Sequence, residues 1–339
     1  MKKRKITASL APMAGYTDAP FRRICSKMGA AYTTSEMISS VAMVNNDRKT
    51  AALARIEDGE APCVLQIFGH DPHIMAKAAD ILLSGSFSER YYAAPPAGID
   101  INMGCPVKKI FSSGDGSAMM KNPELAADVV CSVAEVCEKY RVPLSVKMRL
   151  GVDAEHINAP ELAERVIRAG AKKITLHTRT REQMYAPSAS PSSCMKVKNA
   201  IDKIYCGANC TADCKAVLVG NGDIETPDDA EKYLSFGCDE VAVGRGALGF
   251  PWIFKALSDP ENFTPPSTEE IIALAVEFVE DVVHLKGEDV GIKESRGRAA
   301  HFIKGMRGSA RVRDSLNHAV TLSEFTRILR TIENSPADE

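Results

Sequence analysis

The chain has no apolar run of the roughly 18 residues that a membrane helix needs, so no bilayer span is expected. Its basic start, MKKRKITASLAPM, is not followed by an apolar stretch of secretion-signal length. A cytoplasmic, reducing setting is therefore expected, and the ten scattered cysteines read as thiols rather than a disulfide framework. Net charge is nearly absent too, with 42 Lys and Arg against 44 Asp and Glu. The molecule as a whole does not advertise a polyanionic partner, and any basic surface must be local. No GxGxxG follows a strand-like run, which argues against a resident dinucleotide.

What is present is alternation. Short β-rich runs lie near Ser9–Pro12, Tyr32–Ser35, Cys63–Phe68, Gly98–Asn102, Leu144–Arg149, Ile174–His177, Val217–Asn221 and Glu240–Gly244. Helical segments separate them, including Asp18–Met28, Pro72–Leu83, Pro123–Lys139, Glu161–Ala169 and Thr226–Phe236. Asp71-Pro72, Asn122-Pro123 and Thr226-Pro227 supply a cap followed by a first-turn proline. Such repeated alternation is the pattern of an α/β fold, a (β/α)8 TIM barrel. A doubly wound sheet would alternate as well. The barrel is favoured by where polar residues fall: Met13, Glu36, Gln66, Asn102, Lys147, His177, Asn221 and Arg245 all lie at or just beyond strand C-termini. Barrel enzymes build their sites from that rim.

The stretches VLVGNGDI (217–224) and VAVGRGALG (241–249) place glycines after the seventh and eighth strands. Loops there form a phosphate site in many barrels, with backbone N–H groups approaching the oxygens and Arg245 adding a charge. The occupant is either a phosphorylated substrate or a cofactor tail. Lys147 in LSVKMRL offers a fixed positive charge at the barrel mouth. A reduced flavin needs one there, because its N1–C2=O edge becomes anionic, and Gln66 can hydrogen-bond the same edge. In DINMGCP (100–106), Cys105 stands on the turn leaving a strand, where a purely structural thiol has no need to be.

An ordered set of motifs resembles the tRNA-dihydrouridine synthase family: LAPMAGYTDAPFR (10–22), SEM (35–37), LQIFG (65–69), IDINMGCPVKK (99–109), GSAMM (116–120), VKMRLG (146–151), LHTRTREQMY (176–185), GNGDI (220–224) and VGRGALGFPWIF (243–254). The resemblance implies an FMN-containing barrel, a C-terminal helical domain and NADPH-driven reduction of uridine in tRNA. It implies that Pro12, Met13 and Ala14 lie along the flavin ring, and that Gln66 and Lys147 hold its polar edge with His177 as a neighbour. Asn221, Gly222, Asp223, Gly244 and Arg245 would clamp the ribityl phosphate. Asn102 and Arg179 would lie near the substrate base, and Cys105 would be the catalytic cysteine. The reduction needs a hydride at C6 of uracil, from N5 of reduced FMN, and a proton at C5. A thiol with an ordinary pKa near 8.5 is protonated at neutral pH and can donate that proton. Gly104, Gly114 and Gly116 predict a mobile turn that carries it to the base.

The sequence departs from the family pattern in places. The stretch APSASPSSCMKV (186–197) lacks the tryptophan usual there, and extra length occurs at 84–98 and 202–216, each leading into a strand at the barrel bottom. The second insertion holds Cys206, Cys210 and Cys214, with Cys194 nearby; a metal site is one reading, a row of cysteines along a helix the other, and no metal is expected. Cys25, Cys63, Cys131, Cys137 and Cys238 read as core filler.

Beyond residue 257 the composition changes. Residues 258–270, SDPENFTPPSTEE, read as a linker into a small all-α helical bundle that extends to 339. Helices are expected over Glu269–Leu285, Ala299–Met306 and Leu322–Ile332, with a bundle of three or four in all. Between Lys293 and Arg313 the only acid is Glu294, against Lys293, Arg296, Arg298, Lys304, Arg307, Arg311 and Arg313. This run, with Arg296 and Arg298 in the position of a basic family motif, is expected to track RNA phosphates. The expectation is therefore a monomeric FMN enzyme, residues 1–257 catalytic and 258–339 RNA-binding, that reduces uridine in tRNA. Two alternatives are an FMN-dependent barrel oxidoreductase for a small molecule and a flavin-containing, non-catalytic RNA-binding protein.

Overall fold

Nine strands, all parallel, pair into one closed sheet in the computed structural model, which describes residues 4–205 and 215–332. The strands are β1 (Ala8–Leu10), β2 (Thr33–Thr34), β3 (Ile38–Ser39), β4 (Cys63–Phe68), β5 (Gly98–Met103), β6 (Leu144–Arg149), β7 (Lys173–His177), β8 (Val217–Asn221) and β9 (Glu240–Val243). Closure comes from β1, where Leu10 is in register with Thr33 of β2 and with Val243 of β9. Both β2 and β3 pair with β4, so together they occupy one barrel position, and nine strands make an eight-position (β/α)8 barrel. The break between β2 and β3 turns residues 35–37 toward the rim, where a Glu36 carboxylate oxygen accepts the Gly15 N–H at 2.5 Å.

The expected strands are all present, with ends shifted by a residue or two. The proline-led helices form as the caps dictate. Asp71, Asn122 and Thr226 accept the N–H groups of Ile74, Leu125 and Asp229 at the starts of Pro72–Leu83, Pro123–Tyr140 and Pro227–Ser235. The first insertion forms a short helix, Gly85–Tyr91, and then leads back to the barrel bottom, where the Ala97 N–H bonds the Cys63 carbonyl at the start of β4. Cys206, Cys210 and Cys214 lie outside the described residues. Among the cysteines read as core filler, Cys131 is an exception: it sits exposed on the outer face of Pro123–Tyr140, while Cys25, Cys63, Cys137 and Cys238 are buried. Among the described residues no helix is long and apolar enough to cross a membrane.

Among the described residues the tail has four helices, Thr268–Lys286, Glu288–Phe302, Ser309–His318 and Leu322–Arg330. The second is longer than the expected Ala299–Met306. Its first half hides from a hydropathy reading because it packs through glycine: a Cβ on Gly291 would lie 2.7 Å from the Val283 backbone of the first helix. The core runs without interruption from barrel to tail, with Phe278 set edge-on to Phe21 at 6.3 Å and packed against Phe302 at 5.9 Å.

One carboxylate fastens this junction. Asp18, which also caps helix Ala19–Lys27, takes a bidentate guanidinium from Arg298 at 2.6 and 2.8 Å and the Lys286 ammonium at 2.7 Å. Arg298 also donates to the Tyr16 carbonyl at 2.9 Å and lies over the Phe278 ring. Burial alone would raise the Asp18 carboxyl, but Arg298 and Lys286 outweigh it and hold it below the ordinary aspartate range. The stabilisation is therefore complete above the unfolded aspartate pKa and is lost as pH falls through the lower folded value. Arg298→Ala should lower the urea-unfolding free energy by about 3 kcal/mol at pH 7, the low end for a broken buried pair because Lys286 remains; an exposed pair would cost about 1 kcal/mol or less. The difference between variant and parent should shrink as pH falls through the lowered Asp18 pKa.

Candidate active site

The C-terminal ends of the strands surround a cavity of about 520 Å³. Pro12, Met13, Ala14, Gln66, Asn102, Cys105, Lys147, His177, Arg179, Asn221, Gly222, Asp223, Gly244 and Arg245 all line it. Fourteen residues scattered from 12 to 245 thus converge on one space. Arg296 and Arg298 do not. Arg298 is spent on Asp18, and Arg296 donates to the Ala319 carbonyl at 2.8 Å with its Nε buried. Arg298 is engaged at the junction with the barrel, and Arg296 is half-buried against the tail's own backbone. Net charge along a sequence does not say which way a helix turns.

The floor carries the cations. Lys147 of β6 donates to Asn221 Oδ1 at 3.1 Å, and Asn221 is oriented in turn by donating to the Ala242 carbonyl at 2.7 Å. Asn221 thus fixes the Lys147 ammonium while also lining the cavity. Burial and the neighbouring Arg149 push the Lys147 ammonium down to about 8, with Asp100 and Cys105 opposing. Burial, reinforced by Lys147, Arg149, Arg179 and Arg245, drives the His177 pKa far below neutrality. Arg179 Nη1 stands 3.3 Å from His177 Nε2. A guanidinium can only donate, so Nε2 accepts and the neutral ring carries its proton on Nδ1.

Asp223 organises the phosphate-type corner. It pairs with Arg179 by a short contact and with Arg245 at 3.0 Å, and accepts the Ala189 N–H at 2.9 Å. Arg179 is further held by the Pro187 carbonyl at 2.7 Å, so it braces the rim as well as lining the cavity. Gly222 is required here: its φ is +131°, and a Cβ would come within 2.9 Å of Ala189 Cβ. Gly244 leads into the one-turn helix Arg245–Ala247, which leaves backbone N–H groups at the corner.

Cys105 is 8 % exposed. Burial raises its thiol pKa, against the Val107 backbone N–H, Arg149 and Lys147, so it is protonated at neutral pH. The turn that carries it is not the mobile one expected from its glycines. Asn102 Oδ1 accepts the N–H groups of Gly104 and Cys105, and the Cys105 carbonyl accepts both the Ser117 N–H and hydroxyl. Gly116, at φ +59°, is glycine because a Cβ would lie 3.0 Å from Cys105 Cβ. Arg149, buried, clips this turn to the loop after β7 by donating to the carbonyls of Gly104, Thr180 and Met184.

The sequence reading missed Arg149, Tyr16, Tyr185 and His301 as lining residues. Arg149 could have been found, since it stands two residues after Lys147 and shares its side of the strand. Tyr185 is exposed beside the guanidinium groups of Arg149 and Arg245. His301 comes from the tail and packs edge-on to Tyr16 at 5.9 Å, a contact with no sequence signal. A smaller cavity of about 270 Å³ lies lower in the barrel and reaches residues such as Pro62 and Pro143 at the bottom. Among the described residues no cluster of His, Cys, Asp or Glu could hold a metal ion.

A closed parallel barrel whose rim gathers a protonated thiol, four cations and a glycine-rich phosphate-type corner is a (β/α)8-barrel enzyme. The family described as Dihydrouridine synthase (Dus) matches residues 9–336, and the chain belongs to it. It is 32% identical over 326 residues to a probable tRNA-dihydrouridine synthase of Treponema pallidum, covering 94% of this chain and 91% of that protein. It is 34% identical over 320 residues to tRNA-dihydrouridine synthase B of Xanthomonas axonopodis pv. citri, covering 92% and 88%. The corresponding figures for tRNA-dihydrouridine synthase B of Pseudomonas aeruginosa are 31% over 314 residues, 91% and 87%.

The half-buried position of Lys147 is directly measurable. Competitive acylation followed by peptide mass spectrometry should show Lys147 titrating at about 8, while exposed lysines titrate near 10.4. Arg149→Gln removes a like charge and should move the Lys147 midpoint upward. An ordinary midpoint for Lys147 in the parent protein would contradict its placement.

Proposed function

We propose that the protein reduces uridine to 5,6-dihydrouridine in tRNA, with FMN as its cofactor, NADPH as reductant and Cys105 as proton donor. The observation that carries this reading is the placement of the Cys105 thiol in the same cavity as Gln66, Lys147 and the Asp223–Arg245 corner. The residues fit FMN chemically. One end of the cavity presents glycine backbone and Arg245, suited to a phosphate; the other presents the Lys147 ammonium and Gln66 amide, suited to the polar edge of a ring. The volume lies within the roughly 300–1,000 Å³ of ligand sites. Pro12, Met13 and Ala14 line the same cavity, and neutral His177 adds a ring without adding charge.

When bound, FMN supplies the hydride that uracil takes at C6. The protein's part is to hold the base, exclude water and deliver a proton to C5. Cys105 holds that proton at neutral pH because burial disfavours the thiolate. Once the proton has left, Arg149 and Lys147 offset the charge remaining on sulfur. Asn102 acts on the turn under the thiol through its carbonyl oxygen, and Arg179, braced on Asp223, closes the side of the cavity near the base. For the tRNA itself, the exposed members of the basic run are Lys293, Lys304, Arg307, Arg311 and Arg313, and Lys304 follows the cavity-lining His301 by three residues.

Cys105→Ala should bind FMN and accept electrons from NADPH at near the parent rate, yet form dihydrouridine at least about a hundredfold more slowly, as the loss of a general acid implies. Stopped-flow flavin absorbance and nucleoside mass spectrometry separate the two steps. A parent protein that takes up no FMN would remove the reading altogether. Arg311→Ala with Arg313→Ala should flatten the salt dependence of tRNA binding by about 1.5 in log–log slope, at roughly 0.7–0.9 per lost phosphate contact. An unchanged slope would mean that this face does not touch RNA.

A further inference from the structure

A chain of side-chain hydrogen bonds runs beneath the thiol, and its direction is forced. Asn102 Oδ1 accepts the N–H groups of Gly104 at 3.1 Å and Cys105 at 2.9 Å. A backbone N–H can only donate, so the Asn102 amide has one allowed orientation, with Nδ2 donating to Gln66 Oε1 at 2.9 Å. That orients Gln66 in turn, and its Nε2 donates to Asp100 Oδ2 at 2.7 Å. Asp100 ends the chain, its other oxygen accepting the Ser145 hydroxyl at 2.5 Å. The strands make this possible: Asp100 and Asn102 share a face of β5, and Gln66 and Ser145 are the register partners of Asp100 on either side. Asp100, Gln66 and Asn102 are 4, 1 and 8 % exposed, and Asp100 and Ser145 also border the smaller cavity lower in the barrel.

We propose that Asp100, which lies below the active-site cavity and does not line it, is a positioning residue that anchors the far end of this relay, locking the Gln66 and Asn102 amides in the orientation the turn demands and through them holding the backbone of Cys105. One carboxylate oxygen thereby fixes two things at once: the Gln66 amide, whose Nε2 it accepts, and the seat of the thiol. The catalytic meaning of this rests on the reading of Cys105 as proton donor. The relay itself is tested without RNA or reductant.

The decisive requirement is an acceptor oxygen facing Gln66 Nε2, not a charge. Asp100→Leu removes that oxygen, whereas Asp100→Asn keeps one for Gln66 and turns its amide toward the Ser145 hydroxyl, which can accept. Exchange of the Cys105 amide proton is to be followed by NMR on full-length, selectively ¹⁵N-cysteine-labelled protein. Alkylation of Cys105 by iodoacetamide is measured against exposed Cys131 as internal reference. Asp100→Leu should speed both by about tenfold, the ratio expected for one lost net hydrogen bond, and Asp100→Asn should stay within about twofold of the parent. If Asp100→Leu fails to fold, Gln66→Met breaks the same relay at its middle and should speed Cys105 amide exchange equally. Parent-like Cys105 exchange in the folded Asp100→Leu protein, or in Gln66→Met, overturns the proposal. So does an Asp100→Asn protein as loose as Asp100→Leu, which would point to charge instead of orientation. Absence of dihydrouridine formation by the parent would strike the functional reading alone, since neither measurement at Cys105 depends on it.

Discussion

Every strand of the barrel runs in the same direction, and the rest of the molecule follows from that constraint. Parallel strands need a crossover between each pair, so each strand end on the rim opens into its own loop. Closure through Leu10, paired on both sides, brings the first loop beside the last. Residues far apart in the chain, such as Met13 and Gly244, come to face one cavity for this reason alone. The register then decides which layer each side chain enters. Asn102 pairs with Lys147, while Asp100 pairs with Ser145, two residues lower. Cavity-lining groups and the residues beneath them are thereby stacked in separate layers on the same strands.

Excess positive charge in a confined space costs free energy, and the rim is built to manage it. Lys147, Arg149, Arg179 and Arg245 share the cavity with Asp223. The consequences are visible in the lowered Lys147 and Arg149 pKa values, both pushed down first by burial, to about 8 and about 10. His177, placed among the same cations, remains neutral. Such a site is preorganised for an anionic occupant, which would relieve the repulsion that the folded chain carries without it. Asp223, bridging Arg179 and Arg245, keeps the two guanidinium groups in place.

The tail is joined to this rim at its first loop. Arg298 and Lys286 converge on Asp18, and Arg298 also holds the Tyr16 carbonyl, a few residues beyond the Pro12–Ala14 wall of the cavity. Tyr16 then contacts His301. The same docking therefore shapes the loop after β1 and brings a tail side chain into the cavity wall. Two arginines of the basic run are thus engaged by backbone and carboxylate partners, while Lys293, Lys304, Arg307, Arg311 and Arg313 are exposed.

Much of the barrel was legible in the sequence because its signals are local. Strand periodicity, Asp-Pro, Asn-Pro and Thr-Pro helix starts and glycines after β8 each act within a few residues, so they survive being read in isolation. The residues at strand ends were legible for the same reason: a polar side chain closing an apolar run has few other places to go. The course of the helix Glu288–Phe302 was not legible, because its fit rests on Gly291 against the Val283 backbone, a contact between two helices. The anchoring of the Cys105 turn was not legible either, since glycines predict freedom and only the Asn102, Ser117 and Arg149 contacts remove it. By itself the sequence determined the alternation, the residue types at the rim and the thiol on its turn. Only the tertiary structure decided that Arg298 faces Asp18 instead of solvent, that His301 enters the cavity, and that Asp100 governs an amide chain above it. Those outcomes depend on which groups meet across the closed barrel, and a charge or an amide has a direction only once its partner is in place.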